Sequence, residues 1–217
     1  MATTTCLKRL VVRIDNDQDC PNPFDGDDGA WSIWSFGRRH GNFKDPDTIG
    51  FDYRGGEMKI KNPGLRRKLD VGLAFPLSYY EHGESLWFIQ GTRSVPDARW
   101  DCVRMAGLLV WEHKANVMGA RTLDDRQKDA EGFLADYNAW SNGHVYGFEI
   151  ETEDGDVVDS HWGFLGTDEV LAEMFSEIST YTKDAIVSVT GPAAWLADHQ
   201  FQVVIEKALL ARGSSTP

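Results

Sequence analysis

The chain has 217 residues, a length that suits one domain, and 41 % of them are hydrophobic, which excludes an intrinsically disordered protein. Acidic residues outnumber basic ones 34 to 22, and the formal net charge of −12 disfavours direct binding to nucleic-acid phosphates or to anionic membranes. Three widely spaced cysteines fit neither a disulfide framework nor paired CxxC zinc ligands.

The N-terminal sequence MATTTCLKRLVVRID has no apolar run of signal-peptide length, and no segment reaches the roughly 18 apolar residues of a membrane span. We therefore expect a cytoplasmic protein without a membrane partner. LKRLVVRID alternates apolar and polar residues, which predicts a first strand. A polar loop follows, and AWSIWSFGRRHG predicts a second strand.

Residues 41–70 are polar and interrupted by glycine and proline, so we expect a long polar excursion without a long helix or strand. Strands then return in VGLAFPLSYY, SLWFIQG and MAGLLVWEH. Pro76 lies inside the first of these segments, and because proline cannot donate a ladder hydrogen bond it predicts an edge strand or a bulge.

Three helices are predicted in the second half of the chain. The first begins at about Thr122, with Asp125 completing a capping-box variant, and stops before Gly143. The second follows Thr167, whose hydroxyl can cap it, and the third covers 192–213.

Runs of strands followed by helices predict an α+β fold, with an antiparallel sheet packed against about three helices concentrated in the C-terminal half. We expect a single domain over 1–213, with the excursion at about 41–70 as part of it. The last residues, 214–217, are expected to be a disordered tail.

The segment VYGFEIETEDGDVVDSHWGFLG predicts a hairpin whose loop length decides which side chains share a face. A two-residue loop would place Asp159 and His161 on the apolar face. A three-residue loop, with Gly155 in the left-handed conformation, would place both on the opposite face. We favour the three-residue loop because burying two ionisable groups costs several kcal/mol unless they are well paired.

Asp159, Ser160 and His161 are adjacent in this hairpin. Successive residues of a strand point to opposite faces, so these three cannot form a catalytic triad with one another. In the favoured register, Glu149, Glu151, Asp159 and His161 share an outer surface that could bind a partner. A histidine beside carboxylates could also hold a divalent metal, whereas ordinary exposed polar positions are the simpler interpretation.

Two further clusters carry candidate chemistry. Asp15, Asp17 and Asp19 have the first three ligand spacings of a calcium loop, although Cys20 stands where that loop needs glycine, and a solvated acidic loop is the alternative. Arg38 and Arg39 could bind a phosphate or carboxylate, or could pair with the acidic loop upstream. On a strand the two arginines would point to opposite sides. No GxGxxG, P-loop, HExxH or GxSxG motif is present, so we lean towards a protein that is not an enzyme and expect no cofactor other than a divalent metal.

The sequence GHVYGFEIETEDGDVVDSHWGFLG, over 143–166, resembles a segment of uncharacterised proteins from bacteriophages and mobile elements. The shared pattern is G-x-V-Y-G-[FY], an acidic hairpin, and D-S-x-W-G-F-x-G, and many of those proteins carry cysteine at the position of His161. YYEHG and an acidic loop followed by RRH are similar too, in the same order. The resemblance implies a small accessory protein acting in the host cytoplasm.

Together with the acidic charge, this resemblance leads us to expect binding to a host protein with a basic surface, and inhibition of a defence or other nucleic-acid-handling complex. A metal-dependent hydrolase using His161 and nearby carboxylates, aided by His82 or His40, is the alternative. A third hypothesis is a module that binds a small ligand in the aromatic-rich core.

Overall fold

A computed structural model of the chain describes residues 8–24, 31–54, 57–114, 116–183 and 185–197. The chain divides into two compact units. The terminal unit combines Met1–Pro21 with Gly143–Pro217, and the central unit is Asn22–Asn142. A single domain over 1–213 stays a prediction.

Both units mix strands and helices, so the α+β class is confirmed. The strands of the described residues are β1 (Lys8–Asn16), β2 (Trp31–Ser35), β3 (Phe51–Arg54), β4 (Glu57–Ile60), β5 (Ala74–His82), β6 (Glu84–Ile89), β7 (Cys102–Trp111), β8 (Val145–Thr152), β9 (Val157–Leu165) and β10 (Ala185–Thr190). The helices whose two ends both lie in the described residues are α1 (Pro63–Asp70), α2 (Ala98–Asp101), α3 (Leu123–Ser141) and α4 (Asp168–Tyr181). No described helix has the length and apolar composition needed to cross a membrane.

The terminal unit contains a four-stranded sheet in the order β10-β1-β8-β9. The period-two pattern of β1 is confirmed, since Leu10, Val12 and Ile14 are buried against α4 and its neighbours. β1 pairs with β8 and β8 with β9 in antiparallel fashion, whereas β10 runs parallel to β1. The sheet is therefore mostly, not wholly, antiparallel, because α4 lies between β9 and β10 and lets the chain return in the parallel direction.

The central unit contains a four-stranded antiparallel sheet in the order β2-β7-β5-β6. Residues of α3, among them Ala130 and Leu134, pack on one face of this sheet. Leu65 of α1 and Phe51 of β3 pack on the other face. The sheet is thus covered on both sides, which explains the nearly continuous apolar run of β7.

The polar excursion carries more structure than its sequence predicts. β3 and β4 form a short hairpin, and α1 begins at Pro63 after Asn62, whose side chain accepts hydrogen bonds from the backbone of Gly64 and Leu65. An asparagine N-cap followed by proline is a common helix start. The eight residues of α1 nevertheless show too little apolar periodicity for the sequence to predict a helix here. The helices are therefore not all concentrated in the C-terminal half.

Pro76 lies in the interior of the central sheet, paired with Leu108, so the edge-strand interpretation is wrong. The bulge interpretation is closer, because the β5–β7 ladder shifts between Leu77 and Tyr79. Across from this shift, Met105 of β7 has a φ of 53°, a strained value for a side chain of its size.

The predicted helix before Gly143 is confirmed. Thr122 caps α3, its side chain accepts from the Asp125 N–H, and the Asp125 carboxylate accepts from the Thr122 N–H, which completes the capping box. Thr167 occupies the N-cap of α4, but its hydroxyl makes no capping hydrogen bond, so that part of the prediction is wrong. The predicted helix over 192–213 and the tail over 214–217 fall largely outside the described residues.

Candidate ligand-binding site

The turn of the β8–β9 hairpin matches the favoured three-residue loop. The Thr152 N–H donates to the Asp156 carbonyl at 2.9 Å, and Gly155 has a φ of 86°. The ladder then shifts by one residue beyond the turn, so Phe148 pairs with His161. The favoured register is therefore wrong beyond the turn, because a bulge restores the pairing that the loop length alone would exclude.

This shift separates the four residues of the predicted binding surface. Ile150 pairs with Asp159, which puts Asp159 and His161 on the face that packs against α4. Glu149 and Glu151 alternate with the buried residues of β8 and lie on the opposite face. The four side chains do not form one surface.

His161 and Asp159 avoid the cost of burial by pairing at the rim of the core. The His161 Nδ1 atom lies 2.8 Å from Glu177 Oε2 on α4, and Nε2 lies 3.5 Å from Asp159 Oδ1. The imidazole stacks on Phe148 with ring centroids 5.5 Å apart. Glu177 Oε2 is enclosed and accepts no aligned hydrogen bond from the described residues, so its polar contact is His161 Nδ1, an ion pair only when the imidazole is protonated.

The rim also contains Tyr181, whose hydroxyl donates to Asp159. This hydrogen bond lowers the pKa of the Asp159 carboxyl below its ordinary value and raises the pKa of Tyr181. The two nitrogens of His161 face carboxylates on different sides, so these oxygens do not converge on one point. Across the described ranges, no group of three or more His, Cys, Asp or Glu side chains is arranged to hold a metal ion.

The other sequence candidates are also separated. Asp15 lies on β1, where its carboxylate contacts the Arg13 guanidinium at 2.8 Å, and with Asp17 and Asp19 it makes no converging metal site. Arg13 also lies directly opposite Glu149 in the ladder. Of the two acidic residues of β8, Glu149 therefore faces an arginine of β1, whereas Glu151 lies opposite Val11.

Arg38 and Arg39 occupy the middle of a tight turn closed by the His40 N–H and the Gly37 carbonyl at 3.0 Å. The strand ends at Ser35, so the argument that the two arginines point to opposite sides of a strand does not apply. Arg38 and Arg39 line one cavity, together with His40.

A cavity of the central unit bears on the third hypothesis, a small-ligand site in the aromatic-rich core, which named no particular set of lining residues. It has a volume of about 730 Å³, within the range of small-molecule sites. We name it the aromatic cleft, because five of its side chains are Trp or Tyr. Its lining residues are Asn22, Ser32, Ile33, Trp34, His40, Gly41, Asn42, Lys44, Tyr79, Ser85, Trp87, Glu112, Tyr137, Trp140 and Ser141.

His40 is fixed in one wall of the aromatic cleft. Its Nδ1 atom and the Ser35 Oγ atom are 2.6 Å apart and share a hydrogen bond, and Ser35 Oγ also accepts from the Gly37 N–H. The imidazole edge packs against Tyr79 and Trp87, with centroids 5.0 and 5.5 Å away. Ser35 is fully buried, so this Ser–His pair positions the imidazole and cannot present a nucleophile to a substrate.

Trp87 is held in the cleft through its backbone. β6 is an edge strand, and two asparagines four residues apart cover it, Asn138 of α3 and Asn142 at the C-cap of that helix. Asn138 accepts from the Trp87 N–H at 2.8 Å and donates to the Trp87 carbonyl at 2.9 Å, and Asn142 makes the same pair of contacts with Ser85. The two amide side chains take the place of a neighbouring strand, so the edge is satisfied.

The cleft combines ring faces with polar groups that can select a ligand. The Trp34 indole N–H donates to Glu112 Oε1 at 2.9 Å, which orients that carboxylate beside the aromatic wall. Tyr137 and Trp140 come from one face of α3, with centroids 5.7 Å apart. The aromatic residues of this site are visible in the sequence, but each fits the strand or helix pattern of its own segment, so no single pattern marks them as one site.

Comparison of the chain with protein-family models, curated proteins and solved structures finds no match in any of the three. The resemblance to phage and mobile-element proteins therefore stays a prediction.

Proposed function

We propose that the central unit is a module that binds a small, polar, ring-shaped ligand in the aromatic cleft. The observation that carries the proposal is the convergence of five Trp and Tyr side chains on one 730 Å³ cavity that also holds amide, hydroxyl, ammonium and carboxylate groups. Such sites bury most of a ligand against apolar walls and orient it through a few polar contacts. Sugars and nucleosides both present a ring face and several hydrogen-bonding groups.

The arrangement of the walls supports binding without a large rearrangement. His40, Tyr79 and Trp87 are in mutual contact, and hydrogen bonds to Ser35 and Asn138 fix two of them. A wall that is already ordered loses little conformational entropy when a ligand packs against it, so more of the contact energy appears as affinity.

Isothermal titration with a panel of neutral mono- and disaccharides and of nucleosides tests this proposal. We expect at least one class to bind saturably, and the Trp140→Leu variant to bind it about tenfold more weakly or worse, because stacking on an aromatic side chain contributes about 1–3 kcal/mol. Trp100→Leu is the matched control, since Trp100 is 79 % exposed and does not line the cleft. Equal binding by both variants would contradict the proposal.

We also propose, as a second function, that the chain is a phage-type accessory protein that binds a host protein with a basic surface and inhibits a defence or other nucleic-acid-handling complex. The net charge of −12 supports this idea, and so does the tip of the β8–β9 hairpin, where Glu153, Asp154 and Asp156 are all exposed. Arg9 contacts Glu153 at 3.2 Å, a surface pair that contributes little.

Capture of a partner from a bacterial lysate tests this second function. Binding that depends on charge should fall steeply when salt is raised, and should be lost when the three tip residues are changed to Gln or Asn. A control variant neutralises three exposed acids of the central unit, Glu57, Asp70 and Glu131. Salt-insensitive capture, or equal loss in both variants, would contradict recognition through the hairpin tip.

A further inference from the structure

A second cavity of the central unit lies between the Gly37–His40 turn and the β5–β7 strands. Its volume is about 470 Å³. Phe36, Tyr79, Val103 and Met105 supply hydrocarbon and aromatic surface, Arg38 and Arg39 of the turn supply positive charge, and His40 completes this part of the lining. The cavity therefore combines an apolar body with positive charge.

The two arginines have no counter-charge in the described part of the chain. No acidic side chain among those residues lies within 4.0 Å of either the Arg38 or the Arg39 guanidinium. This is unexpected in a chain where acidic residues exceed basic ones by 34 to 22. Two adjacent unpaired cations beside an apolar cavity are suited to a ligand that carries its own negative charge.

The backbone around this cavity is held in place on two sides. Gly37 approaches His40 so closely that a Cβ atom would lie 3.2 Å from the imidazole ring. Met105, with its φ of 53°, is fixed by its N–H, which donates to Gln90 Oε1 at 2.9 Å. Strained residues persist where the surrounding structure determines them, and they occur often at ligand sites.

We propose that this cavity binds a small amphipathic carboxylate, an aromatic or aliphatic acid. Its hydrocarbon body packs against Phe36, Val103 and Met105, and its carboxylate accepts hydrogen bonds from Arg38 and Arg39. A monoanion fits better than a phosphate dianion, because the net charge of −12 opposes each further negative charge on the ligand. This cavity shares His40 and Tyr79 with the wall of the aromatic cleft, but its other lining residues differ, and the proposal does not depend on the proposed function.

Isothermal titration with octanoate and indole-3-acetate, each compared with its neutral amide, tests the proposal. We expect both acids to bind at least tenfold more tightly than their amides, because the arginine contacts exist only with the anion. The Arg38→Gln/Arg39→Gln variant should lose this preference. The matched control, Arg66→Gln/Arg67→Gln, removes the same charge from exposed adjacent residues of α1 and should retain it.

Val103→Asn provides an independent variant, since Val103 is 57 % exposed and its replacement does not disturb the core. It should weaken binding of both the acid and the amide while preserving the preference for the acid. Octyl phosphate is titrated as well, and tighter binding of the phosphate than of octanoate would overturn the choice of a carboxylate. Equal affinity for acid and amide, retention of the preference in the Arg38→Gln/Arg39→Gln variant, or no saturable binding by any probe would overturn the site.

Discussion

Replacing Asn138 by Ala removes the amide that pairs with both backbone groups of Trp87. Asn138 is buried, at 8 % exposure, and its two hydrogen bonds are 2.8 and 2.9 Å long. A buried backbone group left without a partner costs about 1–3 kcal/mol, so two such groups lead us to expect a loss of about 2–4 kcal/mol in the free energy of unfolding. That is a large share of the roughly 5–15 kcal/mol of a typical domain.

Asn142→Ala is the matched comparison, because Asn142 makes the same two contacts with Ser85 but both residues are only partly buried. Water can replace the lost partner there, so we expect Asn142→Ala to lower the free energy of unfolding by only about 1 kcal/mol. Urea denaturation followed by circular dichroism measures both variants, with an unchanged m-value indicating that the unfolded state is the same. A loss for Asn138→Ala below about 1 kcal/mol, or equal losses in the two variants, would refute the reasoning.

Two other substitutions test the local structure of the two units. Thr122→Ala should cost about 1 kcal/mol by removing the capping box of α3, measured by thermal unfolding. Hydrogen bonds from the Thr122 side chain and backbone lower the pKa of Asp125 in the folded protein. The stability that the Asp125 carboxylate contributes is therefore fully present above its ordinary pKa of 3.8 and is lost as the pH falls through the lower folded value. A Thr122→Ala variant that loses more stability at acidic than at neutral pH would contradict this assignment. Gly147→Ala would bring a Cβ into collision with the Trp162 ring and should cost about 1–3 kcal/mol in urea denaturation, whereas a neutral result would refute the close packing of Trp162 over this glycine.

Local chemistry accounts for the parts of the fold that the sequence predicts correctly. The Thr122–Asp125 capping box and Gly143 bound α3 in the sequence as they do in the structure, because a helix end is determined by residues within one turn. Gly155 likewise defines the hairpin turn. The register beyond that turn brings His161 to Glu177 and Asp159 to Tyr181, partners on α4 that local sequence patterns do not reveal.

The candidate site could not be predicted for a related reason. Its walls come from β2 and the turn after it, from β5 and β6, and from α3, and each residue fits the local pattern of its own element. Asn138 and Asn142 lie one turn apart, so the sequence shows that they share a helix face. Their partners on β6 become visible only when the helix is placed along the strand edge.

The aromatic cleft is tested most directly by ¹⁹F NMR of protein labelled with 5-fluorotryptophan, titrated with the sugar and nucleoside panel. The chain has eight tryptophans, and three of them, Trp34, Trp87 and Trp140, line the cleft. We expect a binding compound to shift the resonances of these three and to leave the exposed Trp100 and Trp162 unchanged. Shifts confined to Trp100 or Trp162, or no shift with any compound of the panel, would contradict ligand binding in the cleft.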